Sequence, residues 1–167
     1  MSEGRSPDKV ADFRNAMRRL ATTVNIVTSS LDGEWYGMTA TAVTSVSMDP
    51  CALLVCINGA SAFHDVIGHA GRFCVNLLDA SQSDLSRAFS GKLRGIARFD
   101  VGSWAADPGG LPFLVDGQAS LFCDVDATLP YRTHTIFVGR VEGVRCSPRI
   151  SPLIYQDGGY AVARPLG

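Results

Sequence analysis

Along most of the chain apolar residues alternate with polar ones, the period of a half-buried strand rather than of a helix. The pattern predicts strands at "TTVNIVTS", "RFCVNLL", "GQASLFCDVDATLP" and "THTIFVGRVEGVRC". A last hairpin, "PLIYQDGGYAVA", turns at Asp157-Gly158-Gly159. "CALLVCIN" is nearly all apolar and reads as a central strand buried on both faces. Three segments shift to a helical period. Phe13, Met17 and Leu20 fall on one stripe of "KVADFRNAMRRLA", which Asp8 can cap. Ser61 opens and Gly71 stops "SAFHDVIGHAG", and "ASQSDLSRAFSG" ends at Gly91. "KLRGIARFDVGSWAADPGGLPFL" keeps no period and is punctuated by Gly and Pro, which predicts a long loop packed by Phe99, Trp104 and Leu111.

One stretch stands apart. "YGMTATAVTSVSMDP", residues 36–50, follows a turn at Leu31-Asp32-Gly33-Glu34 and is predicted as a single strand that stops at Asp49-Pro50. Thr39, Thr41 and Ser45 share one parity with Val43, while Met38, Ala40, Ala42, Thr44 and Val46 share the other. Both faces are thin and rich in hydroxyls, so a flat ligand with many acceptors can approach the backbone, as the ring edge, ribityl chain and phosphate of a flavin would. Threonine also favours strands and packs well there without any ligand.

Many strands with short helices between them, and no regular βαβ alternation, predict a mainly β fold: an antiparallel Greek-key barrel in one domain spanning residues 1–167. Closure also removes the exposed edges that such long strands would otherwise present. The chain contains neither G-x-G-x-x-G nor G-x-x-x-x-G-K-[ST], so no Rossmann or P-loop nucleotide site is expected. Charged residues make up 19% and the net charge is −1, which gives no electrostatic reason to expect nucleic acid or an anionic membrane as partner. The polar start "MSEGRSPDKV" does not read as a signal peptide, and no stretch reaches the roughly 20 apolar residues that span a bilayer. A soluble, cytoplasmic protein is expected. The five cysteines, Cys51, Cys56, Cys74, Cys123 and Cys146, form no tight pair and read as structural thiols, four of them inside apolar segments. His64 and His69, five apart on one helix, face different ways and predict no metal site. Asp124 and Asp126 alternate on a strand as its solvated face.

Three further positions are chemically suggestive. Asn58 and Ser61 stand where a buried strand exits into a helix, and a hydroxyl-capped helix N-terminus can hold an anion as readily as it can simply cap itself. Asn76, inside the apolar strand "FCVNLL", must find partners, either a ligand or the core itself.

The blocks "GMTATAVTSVSMDPCALLVCINGAS", "FCVNLL", "ARFD", "LPFL", "THTIFVGRVEGV" and "PLIYQDGGYAVA", in this order from about Phe13 to Tyr160, resemble the short-chain flavin reductases. These are the FMN-binding split-barrel reductase partners of two-component flavin-dependent monooxygenases. The resemblance implies a homodimer that binds FMN or FAD and reduces it with NADH or NADPH, for a separate monooxygenase reached by diffusion. By position it places Thr39, Ala40, Thr41 and Ser45 along the ring and ribityl chain. Cys56, Ile57 and Asn58 would edge the ring, and Ser61 would lie near the phosphate. Asn76 and Leu77 fall in the next flavin-contacting strand, Phe89 and Arg98 as outer contacts, and Tyr160 joins the same set. The resemblance also places His134 at the nicotinamide site. There the family's Gly-Asp-His reads Arg132-Thr133-His134, so the acidic neighbour is lost; a strand-start histidine facing water has the same sequence signature. Hydride transfer needs stacked rings and donors toward developing negative charge rather than a catalytic triad. Reduction of another acceptor such as a corrinoid by a bound flavin, and a non-enzymatic flavin-binding barrel, remain open alternatives.

Overall fold

The computed structural model describes residues 8–91 and 95–166, with residues 95 and 96 described by backbone alone. Its elements run α1 (Lys9–Met17), β1 (Thr22–Thr23), β2 (Asn25–Leu31), β3 (Glu34–Ala40), β4 (Val43–Met48), β5 (Cys51–Asn58), α2 (Ala62–Ala70), β6 (Arg72–Leu77) and α3 (Ser83–Ser90). A 3-10 helix (Gly95–Asp100) follows, then β7 (Trp104–Ala106), β8 (Pro112–Leu114), β9 (Ala119–Tyr131), β10 (His134–Cys146), β11 (Leu153–Gln156) and β12 (Gly159–Val162).

Seven strands form one antiparallel sheet in the order β3-β2-β6-β9-β10-β5-β4. Its two edge strands, β3 and β4, are consecutive in the chain and joined only by Thr41 and Ala42. Three Cα steps from Ala40 to Val43 reach at most about 11 Å, so the two edges must come together. The sheet therefore rolls into the expected antiparallel barrel. The hydroxyl-rich stretch is not the single strand its alternation predicts. It is two strands on opposite edges, and the core-facing parity changes across the seam: Tyr36, Met38 and Ala40 face the core on β3, whereas Val43 does so on β4.

The barrel interior is apolar: Val27, Val55, Ile57, Ile67, Phe73 and Val75 are fully buried there. Helix α2 contributes Phe63 and Ile67 to this core. It starts and stops as the sequence predicts, with Ser61 Oγ accepting from the Phe63 amide at 3.2 Å and Gly71 in the left-handed region at φ 65°. A second core lies under α3, where Phe89, Phe99 and Trp104 pack edge-on or tilted with centroids 5.0–5.2 Å apart. Gly37 of β3 makes this possible, because a Cβ there would sit 2.8 Å from the Phe89 ring. Phe99, Trp104 and Leu111 do pack, but the segment predicted as a loop contains the 3-10 helix and the β7–β8 hairpin; its residues 92–94 lie outside the described set.

Three other expectations change. Strand β5 buries only one face: Leu53, Val55 and Ile57 point inward, whereas Ala52, Leu54 and Cys56 remain half-exposed. Asp8 makes no side-chain cap on α1, and that helix buries nothing; Phe13, Met17 and Leu20 are all exposed. Cys146 is exposed at the end of β10 rather than in the core; all five cysteines are free, and burial pushes the buried Cys123 thiol up to about 12. No helix among the described residues is long and apolar enough to cross a membrane.

Candidate functional site

The seam between β3 and β4 organises the polar groups around it. On its β5 side the Cys56 amide donates to Ala42 O at 3.0 Å, and the Val43 amide donates to Thr41 O at 3.0 Å. On its β2 side the Asn25 Nδ2 group donates to Ala40 O at 3.3 Å and to Thr23 O at 3.1 Å. The chain thus changes edges between two fixed carbonyls. Ala40 and Ala42 keep the passage narrow.

Beside the seam lies a cavity of about 230 Å³ lined by Val24, Thr39, Ala40, Thr41, Ser86, Ser90, Tyr155 and Tyr160. Hydroxyls dominate its wall. Thr39 Oγ1 donates to Ser86 O at 2.7 Å, the Tyr160 hydroxyl donates to Ser86 Oγ at 2.9 Å, and Ser90 Oγ donates to Ser86 O at 2.9 Å. The Arg87 guanidinium stands 5.1 Å from the Tyr160 ring centroid, which fixes the tyrosine from its outer side. Thr41 and Tyr155 also border a second groove of about 380 Å³, walled by Phe13, Met17 and Leu20 and rimmed by Arg14 and Arg18. The exposed stripe of α1 therefore faces this groove rather than the core.

Across the seam, at the ends of β5 and β10, stand Asn58, Ser61 and His134. Asn58 Oδ1 accepts from the Ala60 amide at 2.9 Å, and the Ser61 amide donates to Asn58 O at 3.0 Å, which shapes the entry to α2. His134 pairs across the ladder with Asn58 on one side and Tyr131 on the other. Thr133 Oγ1 lies 2.9 Å from His134 Nδ1, and Thr133 O accepts from the Gly59 amide at 2.9 Å. Cys56 lies opposite Ile136 and is half-exposed, whereas the Ile57 side chain is fully buried in the barrel, so only its backbone is near the seam.

The residues expected at one site thus divide. Thr39, Ala40, Thr41 and Tyr160 line the cavity; Cys56, Asn58, Ser61 and His134 stand on the other side of the seam. Asn76 does not reach either. It is fully buried, its Nδ2 donates to Ile26 O at 3.0 Å and Thr28 Oγ1 at 3.2 Å, and its Oδ1 accepts from the Leu114 amide at 2.8 Å and Ser120 Oγ at 3.0 Å. With its hydrogen-bonding capacity used by the core, it has none to offer a ligand. Leu77 packs against the barrel core next to it. Phe89, at 2% exposure, is a core ring under α3 rather than an outer contact. Arg98 is half-buried and donates through Nη1 to Gly37 O at 2.7 Å, holding the 3-10 helix to β3. Ser45 lies beyond the seam on β4, exposed opposite Leu53.

Sequence reasoning missed Ser86, Ser90, Tyr155 and Asn25. Ser86 and Ser90, four apart in α3, share one helical face, a spacing that would have marked a polar stripe between Leu85 and Phe89. The titratable groups with clear shifts stand away from the seam. Burial opposes the charge on Asp107, but the Leu111 and Gly109 amides and Arg72 overcome it and hold the carboxyl below its usual range. The site offers positioned hydroxyls and amides rather than a tuned acid–base pair.

A sequence profile described as "Flavin reductase like domain" matches residues 17–164. The reductase component of an FADH(2)-dependent resorcinol hydroxylase from Rhizobium sp. is 40% identical over 158 residues, covering 93% of this chain and 88% of the relative. The FMN reductase (NADH) RutF 2 of Rhizobium rhizogenes is 40% identical over 156 residues, covering 93% and 90%. Among solved structures, the Streptomyces globisporus NADH:FAD oxidoreductase in complex with NAD and FAD fragments superposes with a TM-score of 0.88 at 27% identity, covering 98% of each chain.

Proposed function

The chain belongs to the family of flavin reductase like domains, and on that premise we propose that it is an NADH:flavin oxidoreductase supplying reduced flavin to a separate monooxygenase. The observation that carries this reading is the hydroxyl-lined cavity beside a seam of small residues, with a histidine across it. The residues present fit a flavin. Thr39, Ser90 and Tyr160, whose protons go to Ser86, can accept from ribityl hydroxyls, Thr41 and Tyr155 can donate to ribityl or phosphate oxygens, and Ala40 and Ala42 let a ring approach the backbone. When bound, the flavin supplies the hydride acceptor.

The chain's own groups then divide the work. The seam hydroxyls would orient the flavin, and Thr41 would offer a donor to negative charge at its ring edge. Asn58 and Ser61 border the ring from the β5 side. His134 orients the nicotinamide. Residues 1–167 are read as one such domain, working in the cytoplasm, where its free thiols stay reduced.

A homodimer is part of the proposal. By register, Leu54 and Val138, Cys56 and Ile136, and Ile136 and Leu129 lie opposite one another on the outward face of β5, β10 and β9. Leu129 is 59% exposed, and Tyr131 at the tip of the same hairpin is 72% exposed. A second copy covering this apolar strip, which runs up to Cys56 at the seam, would close the site from outside; stable interfaces of this kind bury over about 1,200 Å². Light scattering should give a dimer, and Leu129→Glu should yield monomers with weakened flavin binding. Fully flavin-competent monomers of the unaltered protein would remove this claim.

Activity is tested by following NADH oxidation with FMN or FAD added. Consumption that depends on flavin is expected, and His134→Ala should lower kcat/KM for NADH about five- to 150-fold with flavin Kd unchanged. Flavin binding without NADH consumption would instead identify a binding barrel.

A further inference from the structure

We propose that Thr133 is the positioning residue of His134, a proposal that rests on the reading of His134 as the nicotinamide-orienting group. Three observations meet at this hairpin. The ladder between β9 and β10 ends at the pair Tyr131–His134, which leaves Arg132 and Thr133 as a two-residue turn. Arg132 sits in the left-handed region at φ 53°, so the tip is tightly wound rather than a slack loop. The Thr133 carbonyl is tied to the Gly59 amide at 2.9 Å, which fixes the turn against the entry of α2.

The backbone of His134 is therefore held on both sides, by Asn58 and by Tyr131. Its ring is not held in the same way, since the side chain is exposed on the outer face of β10. Among the described residues, the only polar side-chain partner of the ring is Thr133 Oγ1, 2.9 Å from Nδ1. A hydroxyl whose own backbone is anchored can fix an imidazole in two ways. It sets the ring's rotation, and it can donate to Nδ1, the arrangement in which the ring's proton sits on Nε2. Nε2–H then faces away from the turn as a single donor, suited to the carbonyl oxygen of a nicotinamide carboxamide. A hydroxyl does this without adding charge beside the ring.

The geometry predicts that Thr133 matters only through His134. Thr133→Val keeps the β-branched shape and deletes the hydroxyl, and it should lower kcat/KM for NADH about 2- to 13-fold, the range of one neutral hydrogen bond. Flavin Kd and the unfolding midpoint should not move. Thr133→Ser should keep the wild-type value within about twofold, because the hydroxyl remains. In a His134→Ala background, Thr133→Val should add nothing. Full-length protein, steady-state NADH oxidation and flavin fluorescence quenching suffice. If Thr133→Val is harmless while His134→Ala is damaging, the positioning role falls and the reading of His134 stands. If the valine loss is as large without His134 as with it, Thr133 acts through the turn alone and the proposal is overturned. If His134→Ala itself leaves kcat/KM unchanged, the reading on which the proposal rests fails first.

Discussion

Two buried asparagines, one on each of two paired strands, point to opposite faces of the sheet and do opposite things there. Asn76 on β6 is fully buried, and its amide engages Ile26, Thr28, Leu114 and Ser120, tying β2, β8 and β9 to its own strand. Asn25 on β2 is 1% exposed and lies on the barrel-core face, paired with Leu77, yet its Oδ1 is the only buried side-chain oxygen without a partner among the described residues. Its Nδ2 reaches the two carbonyls, Thr23 and Ala40, that lead into the seam. A closed set of bonds marks a structural knot. An open one, next to a cavity, marks a place where stability has been given up for placement.

The sharpest way to break this contrast is Asn76→Leu. It strands partners on three other strands at once, so unfolding should cost about 3–5 kcal/mol less than in the wild type, read as a lowered denaturant midpoint. The folded fraction should bind flavin normally. If stability holds and flavin affinity falls, Asn76 belongs to the site after all. Next in size is Thr41→Val at the seam, which deletes a hydroxyl on the cavity wall and should weaken flavin binding about 2- to 13-fold with the apo-protein equally stable. A drop in apo stability with unchanged flavin titration would make Thr41 a packing residue only. A small effect on stability, far below that of Asn76→Leu, is expected for Asn25→Ala. It removes two long hydrogen bonds but also an unpaired buried oxygen, so the net change should lie within about 1 kcal/mol. Loosening Ala40 should still show in flavin Kd; a large loss of stability would place Asn25 with Asn76.

Much of the architecture was legible, and the reason is local. Period-2 alternation, the Asp32-Gly33 and Asp157-Gly158 turns with their positive φ values, and the Ser61 cap are all decided by neighbours in sequence. The seam was not legible, because both parities of residues 38–46 carry small and hydroxyl side chains, which hides the switch of the core-facing set from Met38 and Ala40 to Val43 and says nothing about which strand lies alongside. Asn76 misled for a related reason: its partners come from residues 26, 28, 114 and 120, none of them nearby in the chain. The cavity was half legible. Thr39 and Thr41 announce themselves in a strand, whereas Ser86 and Ser90 look like ordinary helix surface until α3 is laid against β3.

The two-residue link between opposite edges also says when binding can begin. The pairings of β2 with β3, β4 with β5 and β9 with β10 are hairpins that form between neighbours, and the link holds the ends of β3 and β4 together from the start, but none of these pairings closes the sheet. The sheet closes only after β5 finds β10 and β6 finds both β2 and β9, contacts of long sequence separation that form late. No fragment ending before β10 holds His134 or the Tyr155 and Tyr160 wall of the cavity. Flavin capture is therefore an assay of complete assembly: a nascent or severed chain should stay colourless, and two complementary fragments should gain flavin only when they pair.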